Sequence, residues 1–254
     1  MRSLNELLKT GEDPTLEESR IYGAVGHDED IYQVKATDIG DAWFQCVDLV
    51  YAHGNIQPIT AGSYAETGKR KQIFRINGII NYPGTKPLEP QIPAGFGLPN
   101  PVEPGYLDSY LQKLRIAASK EPNEDYVYAE WIEPCYEKIL ERFPKDGAGT
   151  NQMYMDIKVG DEKSINLKDP PCLRGIDIKV VNGRLHFAVE FRSWDLWNGF
   201  PANLGGLQLL KEMMVEDLND RGMQLEDGKL MFSSSGLHLY EYAWDLAKTR
   251  LNKN

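Results

Sequence analysis

The residue best suited to covalent chemistry in this sequence is Cys172, which follows a stiff Asp-Pro-Pro segment at 169–171. Downstream, the Asn-Gly pair at 182–183 lies between two alternating apolar and polar segments and predicts a type I′ hairpin turn. Counting back from that turn along a regular antiparallel ladder places Cys172 opposite Ser193 and beside Arg192. A neighbouring guanidinium should lower the pKa of the thiol and favour the reactive thiolate.

Two interpretations of Cys172 stay open at this level. In a regular ladder the side chains of Cys172 and Arg192 point to opposite faces, whereas one β-bulge between the turn and the cysteine brings them to the same face. The alternative is that Cys172 is a small buried apolar residue. We expect that simpler role for Cys46 and Cys135, which lie on the apolar stripes of predicted helices.

The segment RSWDLWNGFPAN carries the densest polar chemistry. Its first residues, Arg192 and Ser193, suit a phosphate group because a charged guanidinium group lies next to a hydroxyl donor. Asn203 either caps the helix that follows or offers one donor and one acceptor to the imide edge of a pyrimidine. Farther on, His238 and Tyr240 are two residues apart, so in an extended segment both point to one side and can hold a hydroxyl group. A structural histidine is the alternative.

Composition argues against several classes of protein. The 254 residues include 28 basic and 38 acidic side chains, a net charge of −10, with a sequence pI near 5.0. This balance argues against nucleic-acid binding through a basic surface. No apolar run approaches the roughly 20 residues needed to span a bilayer, and the N-terminus lacks a signal-peptide core. Three cysteines without metal-ligand spacing predict neither a disulfide framework nor a metal site, so we expect a reduced cytoplasmic protein.

The first part of the chain predicts few regular elements. Residues 1–35 predict a short strand or an extended arm, and residues 36–51 predict a helix that begins after Asp38. A turn followed by a strand is predicted over 60–82. The residues at 83–105, rich in proline and glycine, predict a long loop that either covers the surface or folds over a ligand site.

The rest of the chain is more regular. Helices are predicted over 106–118 and 127–143, the second kinked or broken at Pro134. The pattern then changes to strands, followed by a mostly apolar helix over NLGGLQLLKEMMVEDLN, a turn at 227–228, a strand and a last helix. We therefore predict one α+β domain over residues 1–254.

Three motifs together resemble the thymidylate synthase family in identity, order and spacing. They are DPPC, which ends at Cys172, then RSxDxxxGxPxN, and SGLHLY, which ends at Tyr240. The forms PPCLR, FRSWDLWNGFPAN and GLHLY are most similar to the short archaeal-type branch. The clear likeness covers 147–247. Upstream, TGKRKQI at 67–73 is similar to the family's phosphate loop, and YAEW, which begins at Tyr128, is similar to a segment on the cofactor side.

The resemblance implies a role for each matching residue. Cys172 would be the nucleophile that adds to C6 of a pyrimidine, with Asp195 and Tyr128 as further catalytic residues. Asn203 would read N3 and O4 of the base. The other implied substrate-binding residues are Arg192, Ser193 and Arg70 at the 5′-phosphate, His238 and Tyr240 at the sugar hydroxyl, and Gly199 beside the base.

The resemblance also implies a fold and an activity. The fold would be a large mixed, largely antiparallel sheet flanked by helices, and the protein a homodimer. The enzyme would transfer a one-carbon unit from 5,10-methylene-tetrahydrofolate, or a methanopterin analogue, to C5 of dUMP and give dTMP, without metal or flavin. Glu89 or Glu103 would organise water for proton transfer. Two alternatives stay open: 5-hydroxymethylation of dUMP, dCMP or CMP, and a non-catalytic homodimer that binds a nucleotide.

Overall fold

The computed structural model describes residues 1–26, 31–62, 68–122, 124–158, 166–167 and 169–253. The helices in these ranges are α1 (Leu4–Thr10), α2 (Leu16–Tyr22), α3 (Ile39–His53), α4 (Tyr106–Arg115), α5 (Ala129–Asp146), α6 (Gly199–Asn219) and α7 (Trp244–Arg250). The strands are β1 (Ile31–Ala36), β2 (Asn55–Pro58), β3 (Lys69–Ile73), β4 (Arg75–Ile80), β5 (Tyr154–Asp156), β6 (Leu173–Val181), β7 (Arg184–Phe191), β8 (Trp194–Asp195), β9 (Glu226–Ser234) and β10 (Leu237–Tyr240).

The described strands form two sheets. The larger has the order β1-β4-β9-β7-β6-β5 and is mixed: β1–β4 and β7–β9 are parallel, while β4–β9, β6–β7 and β5–β6 are antiparallel. The smaller has the order β2-β3-β10-β8. The prediction of an α+β fold with a large mixed sheet flanked by helices is confirmed.

The predicted hairpin is present with its predicted turn. Asn182 and Gly183 have φ angles of 52° and 72°, the left-handed values that a type I′ turn requires, and Val181 pairs with Arg184. Alternation along β7 follows the prediction, because the side chains of one face are buried and those of the other are not. The buried residues are Leu185, Phe187, Val189 and Phe191.

Helix α6 crosses the core and carries the predicted apolar face, with Leu204, Leu207, Leu210, Met214 and Leu218 fully buried. Its Gly-Gly pair permits close packing with α4. A Cβ atom added to Gly205 would lie 2.7 Å from Leu107, and one added to Gly206 would lie 2.3 Å from the ring of Tyr110. The missing side chains therefore bring Tyr110 close to the first turns of α6.

The N-terminal prediction of a strand or extended arm over 1–35 is wrong for most of that segment. Two short helices, α1 and α2, precede β1. Each begins with a capping box, in which Ser3 pairs reciprocally with Glu6 and Thr15 with Glu18. The S-x-x-E and T-x-x-E spacing, with a glycine ending each helix, is the local signal for these helices.

Two further predictions need correction. Helix α5 continues through Pro134, so of the two predicted outcomes, a kink or a break, the break is wrong. Ile132, Tyr136 and Phe143 are fully buried along the helix, and this packing offsets the hydrogen bond that proline cannot donate. The Asp-Gly pair at 227–228 is not a turn but lies inside β9. The backbone there approaches Leu185 so closely that a Cβ atom on Gly228 would lie 2.4 Å from the Leu185 carbonyl oxygen.

The segment predicted as one strand over 60–82 forms two, β3 and β4, which belong to different sheets; part of the turn before them lies outside the described residues. The 83–105 loop packs onto the core through Leu88, Ile92 and Val102. Its single helical turn carries Phe96, whose ring lies 5.4 Å from the Arg250 guanidinium on α7. In the described part of the chain, no helix combines the length and the hydropathy that crossing a membrane requires.

Candidate active site

The smaller sheet brings two of the three motifs side by side. Strand β10 pairs on one edge with β3, where Tyr240 faces Arg70, and on the other edge with β8, where His238 faces Asp195. Ser193 immediately precedes β8 and is half-buried. Because β8 follows β7 after only two residues, the hairpin is joined directly to this sheet.

The third motif joins the site at the end of β6. The predicted register holds from the turn to Gly175, which pairs with Glu190, and then shifts by one residue, so that Leu173 pairs with Phe191. As a result the backbone N–H of Arg192 donates to the Cys172 carbonyl oxygen at 2.9 Å. The prediction that Cys172 lies opposite Ser193 is wrong, and the bulge considered as an alternative is present.

The bulge brings the Arg192 guanidinium against the cysteine. Its NH2 group lies 3.9 Å from the Sγ atom of Cys172 and also donates to the Pro170 carbonyl oxygen, while Nε donates to the Pro171 carbonyl oxygen at 3.0 Å. Cys172 itself is half-buried. The stiff Asp-Pro-Pro segment thus supplies two carbonyl acceptors that hold the arginine against the sulfur.

The expectation that Arg192 lowers the Cys172 pKa below its ordinary value is wrong. Burial raises the pKa of the Cys172 thiol, and the nearby charges of Arg192 and Arg174 offset only part of that effect. The carboxylates of Asp169 and Asp195 act in the same direction as burial. The thiol is therefore mostly protonated near neutral pH, and Arg192 limits the rise.

Tyr128 also lies near the cysteine, at the N-terminus of α5. Its hydroxyl accepts a hydrogen bond from the backbone N–H of Leu173 at 3.2 Å. Burial and the neighbouring Cys172 raise the pKa of Tyr128 to about 12, so the phenol is neutral and can donate its proton. The structure therefore places this predicted residue beside the sulfur.

Arg70 and His238 lie close together on the smaller sheet. With the Gln57 amide oxygen turned toward it, Arg70 donates to that oxygen from NH2 at 3.3 Å and from Nε at 3.1 Å. Burial lowers the pKa of Arg70, Tyr240 raises it, and the positive charge of Arg192 lowers it further. The charges of Arg70 and Arg192 therefore act on each other, and neither guanidinium forms an ion pair with an acid among the described residues, an arrangement that favours an anion.

His238 has one nitrogen available. Its Nδ1 lies 2.9 Å from the Gly236 carbonyl oxygen, which can only accept, so we assign the proton to Nδ1. The Nε2 atom is buried and makes no hydrogen bond within the described residues. Burial lowers the His238 pKa to about 4, which leaves Nε2 a neutral acceptor. The Tyr240 ring packs edge-on against the imidazole at 4.6 Å, as their spacing predicted.

Asp195 organises the start of α6. Its carboxylate accepts hydrogen bonds from the backbone N–H groups of Trp197 and Gly199, both at 3.2 Å. Burial raises the Asp195 pKa, and these backbone donors lower it. A Cβ atom on Gly199 would lie 3.3 Å from the Asp195 Cβ, so glycine permits this close approach. Asp195 thereby holds the helix that carries Asn203.

Asn203 lies inside α6, so the alternative prediction that it caps the helix is wrong. Its Oδ1 accepts from the indole N–H of Trp194 at 2.8 Å, and its Nδ2 donates to the Tyr110 hydroxyl at 2.6 Å. Both partners were missed from the sequence. Tyr110 lies on a helix more than 90 residues upstream, and only the packing of α4 on the Gly-Gly pair shows that it reaches Asn203.

A cavity of about 300 Å³ opens beside Tyr110 and Tyr128. Aromatic side chains dominate its wall, and Lys113 and Glu124 form an ion pair of 2.8 Å in its lining. Its lining residues are Tyr106, Ser109, Tyr110, Lys113, Glu124, Tyr126, Val127 and Tyr128. The cluster of tyrosines over 106–128 is the sequence signal that could have indicated this cavity.

The two candidate glutamates are not brought into this cluster. Glu103 is exposed and Glu89 is half-buried in the 83–105 loop. Within the described residues neither side chain is hydrogen-bonded to Cys172, Tyr128 or Asn203. The 83–105 loop packs on the hydrophobic core, forms an ion pair with Glu212 of α6 through Lys86 and contacts α7 through Phe96, which favours a packed surface loop.

Comparison with known proteins connects this geometry to a family. The family model described as "Thymidylate synthase" matches residues 137–254, which contain all three motifs. A "Putative thymidylate synthase" of Methanosarcina mazei is 25% identical over 228 residues, covering 85% of this chain and 92% of the relative. A protein of the same description from Methanosarcina acetivorans is 23% identical with the same coverage. A "Thymidylate synthase" of Wigglesworthia glossinidia brevipalpis is 26% identical over 46% of this chain and 42% of its own length. The resemblance of this chain to the thymidylate synthase family, predicted from three motifs, is therefore confirmed.

Proposed function

We propose that this protein transfers a one-carbon unit from a methylene-pterin to C5 of dUMP, through a covalent bond between Cys172 and C6 of the base, and releases dTMP. The observation that carries the proposal is the position of the Arg192 guanidinium, 3.9 Å from the Cys172 sulfur, where its positive charge also lowers the pKa of Arg70. A nucleotide phosphate bound between these cations would set its base within reach of the nucleophile.

The phosphate site consists of Arg192, Arg70 and Ser193. Arg192 uses Nε and NH2 to hold the proline carbonyls, which leaves its NH1 group for a ligand. The Gln57 amide oxygen accepts hydrogen bonds from NH2 and Nε of Arg70 and so holds its guanidinium in place. A dianion between two guanidinium groups relieves their mutual repulsion and accepts charge-assisted hydrogen bonds. The Ser193 hydroxyl adds a neutral donor.

The sugar site consists of His238 and Tyr240. The unprotonated Nε2 of His238 accepts from a sugar hydroxyl, and Tyr240 supplies a second polar group on the same side of β10. A buried acceptor without a partner among the described residues costs free energy. Binding of the sugar would remove that cost.

The base lies between Cys172 and Asn203. Addition of the thiolate to C6 moves charge onto O4 and makes C5 nucleophilic, so one difficult substitution is divided into easier steps. The Asn203 amide donates to O4 as the charge develops and accepts from N3–H. Tyr128 stands beside the sulfur with a protonated hydroxyl, placed to take part in the proton transfer that follows at C5.

The aromatic cavity beside Tyr128 fits the flat, heteroaromatic ring system of a reduced pterin, because Tyr106, Tyr110 and Tyr126 offer ring faces and the Lys113–Glu124 pair offers polar contacts. The bound pterin supplies the methylene carbon and, for a methyl product, a hydride. The proposal includes either tetrahydrofolate or a methanopterin analogue as the donor. It also includes one domain over 1–254, a homodimer and a cytoplasmic location.

The experiment that tests the proposal uses 5-fluoro-dUMP with 5,10-methylene-tetrahydrofolate. Fluorine at C5 does not leave as a proton does, so the reaction stops at a covalent complex. We expect intact-protein mass spectrometry to show one added nucleotide and one added donor per chain, and peptide mapping to place both on Cys172. Cys135→Ser, which changes another half-buried free cysteine, should still form the complex, whereas Cys172→Ser should not. Absence of the complex with both folate and methanopterin donors would contradict the proposal.

Two readouts separate the alternative functions. The mass of the product from dUMP shows whether C5 carries a methyl or a hydroxymethyl group. Release of tritium from C5 of labelled dUMP shows turnover, whereas a non-catalytic nucleotide-binding protein would be stabilised by dUMP without releasing tritium.

A further inference from the structure

The base-reading amide of Asn203 is held in one orientation by its neighbour Trp194. The indole N–H lies 2.8 Å from Oδ1 of Asn203. Because an indole nitrogen can donate a hydrogen bond but never accept one, the atom facing it must be the amide oxygen. The opposite orientation would set two N–H groups against each other.

The indole that imposes this orientation cannot move easily. Trp194 is 2% exposed and lies on the short strand β8. Its ring stacks on Phe191 with centroids 3.8 Å apart and planes 7° apart, and it also packs against Phe200 at 4.5 Å. Rotating the indole away from Asn203 would break these contacts in a closely packed core.

Tyr110, the other partner of Asn203, does not impose an orientation. Its hydroxyl accepts from Nδ2 at 2.6 Å, but a hydroxyl can equally donate to an oxygen placed there. An amide oxygen accepts two hydrogen bonds and an amide nitrogen donates two. Trp194 uses one acceptor site of the Asn203 oxygen, and Tyr110 uses one N–H of its nitrogen. Asn203 therefore offers one further acceptor site and one further N–H, and only Trp194 determines which lies where.

We infer that Trp194 is the positioning residue that makes this site select a uracil nucleotide over a cytosine nucleotide. The inference rests on the proposed function and concerns the same site. Uracil presents N3–H and O4, which match the amide as Trp194 orients it. Cytosine presents N3 as an acceptor and a 4-amino group as a donor, so it needs the amide turned over. That turn would leave the buried indole N–H facing an N–H group, with no acceptor.

The test is the ratio of the dissociation constants for dCMP and dUMP, measured by calorimetry without a carbon donor in the wild-type chain and in Trp194→Phe. Phenylalanine keeps an aromatic ring in the stack and removes the N–H group. We expect the wild-type chain to prefer dUMP by about tenfold or more, the order of an unsatisfied buried donor. In Trp194→Phe the ratio should fall by about tenfold, because the amide can then turn.

Tyr110→Phe is the matched comparison. It removes the other hydrogen bond of Asn203, so both nucleotides should bind more weakly while their ratio stays within about twofold. If Trp194→Phe does not fold, as judged by circular dichroism, replacing Trp194 with benzothienylalanine keeps the two-ring stack, puts sulfur in place of N–H and carries the same expectation.

The outcomes separate this inference from the proposed function. If Trp194→Phe keeps the dUMP preference of the wild-type chain, the inference is wrong and the proposed function is unaffected. The same holds if the wild-type chain binds dUMP and dCMP equally well. Binding of neither nucleotide to the wild-type chain would overturn both.

Discussion

Arg192 is joined to Cys172 twice, through its backbone N–H to the Cys172 carbonyl at 2.9 Å and through a guanidinium 3.9 Å from the sulfur. The backbone hydrogen bond exists because Arg174 has no pairing residue in the β6–β7 ladder, which shifts the register by one residue. That hydrogen bond places Arg192 where its guanidinium can reach the sulfur. One extra residue in β6 therefore sets the distance between the cation and the thiol.

The first prediction concerns the reactivity of that thiol. Replacing Arg192 with glutamine removes a charge that lowers the Cys172 pKa, so the pKa should rise further and alkylation by iodoacetamide at pH 8 should slow several-fold. The alkylation rate as a function of pH measures both effects, with the modified residue identified by mass spectrometry. Arg184→Gln, at the far end of the same hairpin, should leave the profile unchanged. An equal or faster rate in Arg192→Gln would contradict the assignment.

The second prediction separates the phosphate from the rest of the nucleotide. Gln57→Leu keeps the size of a buried side chain and removes the acceptor that holds Arg70. We expect the affinity for dUMP to fall by about tenfold, the order of one charge-assisted hydrogen bond, while the weak binding of deoxyuridine stays the same. Competition calorimetry with the two ligands gives both values. Equal losses for both would show that Gln57 acts on the whole site and not on the phosphate.

The third prediction concerns stability against pH. The pKa of His238 is lowered to about 4 in the folded chain, against about 6.5 for an unfolded chain. Between these values the unfolded state binds more protons, so the stability that comes from this group is complete above about pH 6.5 and is lost as the pH falls toward 4. The loss should be roughly 2–3 kcal/mol. Urea unfolding of wild type and His238→Gln at pH 4.5 and 7.5 measures it, and the wild type should show the larger drop.

The fourth prediction concerns the contact between α4 and α6. Gly206→Ala would place a methyl group 2.3 Å from the Tyr110 ring, so α4 must shift. The cost of overpacking, about 1–3 kcal/mol, exceeds the gain of about 1 kcal/mol from helix propensity, so the variant should be less stable. Gly149→Ala, where nothing lies within 4 Å, is the control and should be neutral in thermal unfolding. A more stable Gly206→Ala would show that the helices are not packed this closely.

Local patterns predicted the hairpin and the closeness of Cys172 to Arg192, and packing supplied the rest. The Asn-Gly turn determined which strands meet and in which register, so Cys172 and Arg192 could be brought together from residue numbers alone. The bulge at Arg174 could not be located, because an alternating pattern gives no sign of one inserted residue. Ile176 and Leu173 are buried on either side of it, and only the whole sheet shows where the alternation changes.

The same contrast applies to Asn203 and its partners. Its donor and acceptor groups were evident from residue type, but its hydrogen bonds to Trp194 and Tyr110 depend on how α4 and β8 pack around α6. The sign of the Cys172 pKa shift was also mispredicted, since sequence proximity indicates a neighbouring charge but not the degree of burial that opposes it.

Strand β10 alternates two kinds of side chain over four residues: Leu237 and Leu239 are fully buried, whereas His238 and Tyr240 stand together on the other side. Deleting or inserting one residue between Gly236 and Tyr240 would exchange these sides, taking both polar rings into the hydrocarbon interior and the leucines out to the candidate site. Insertions and deletions in this strand would therefore disrupt the candidate site, and the chemistry of this side of β10 can change only when one side chain replaces another.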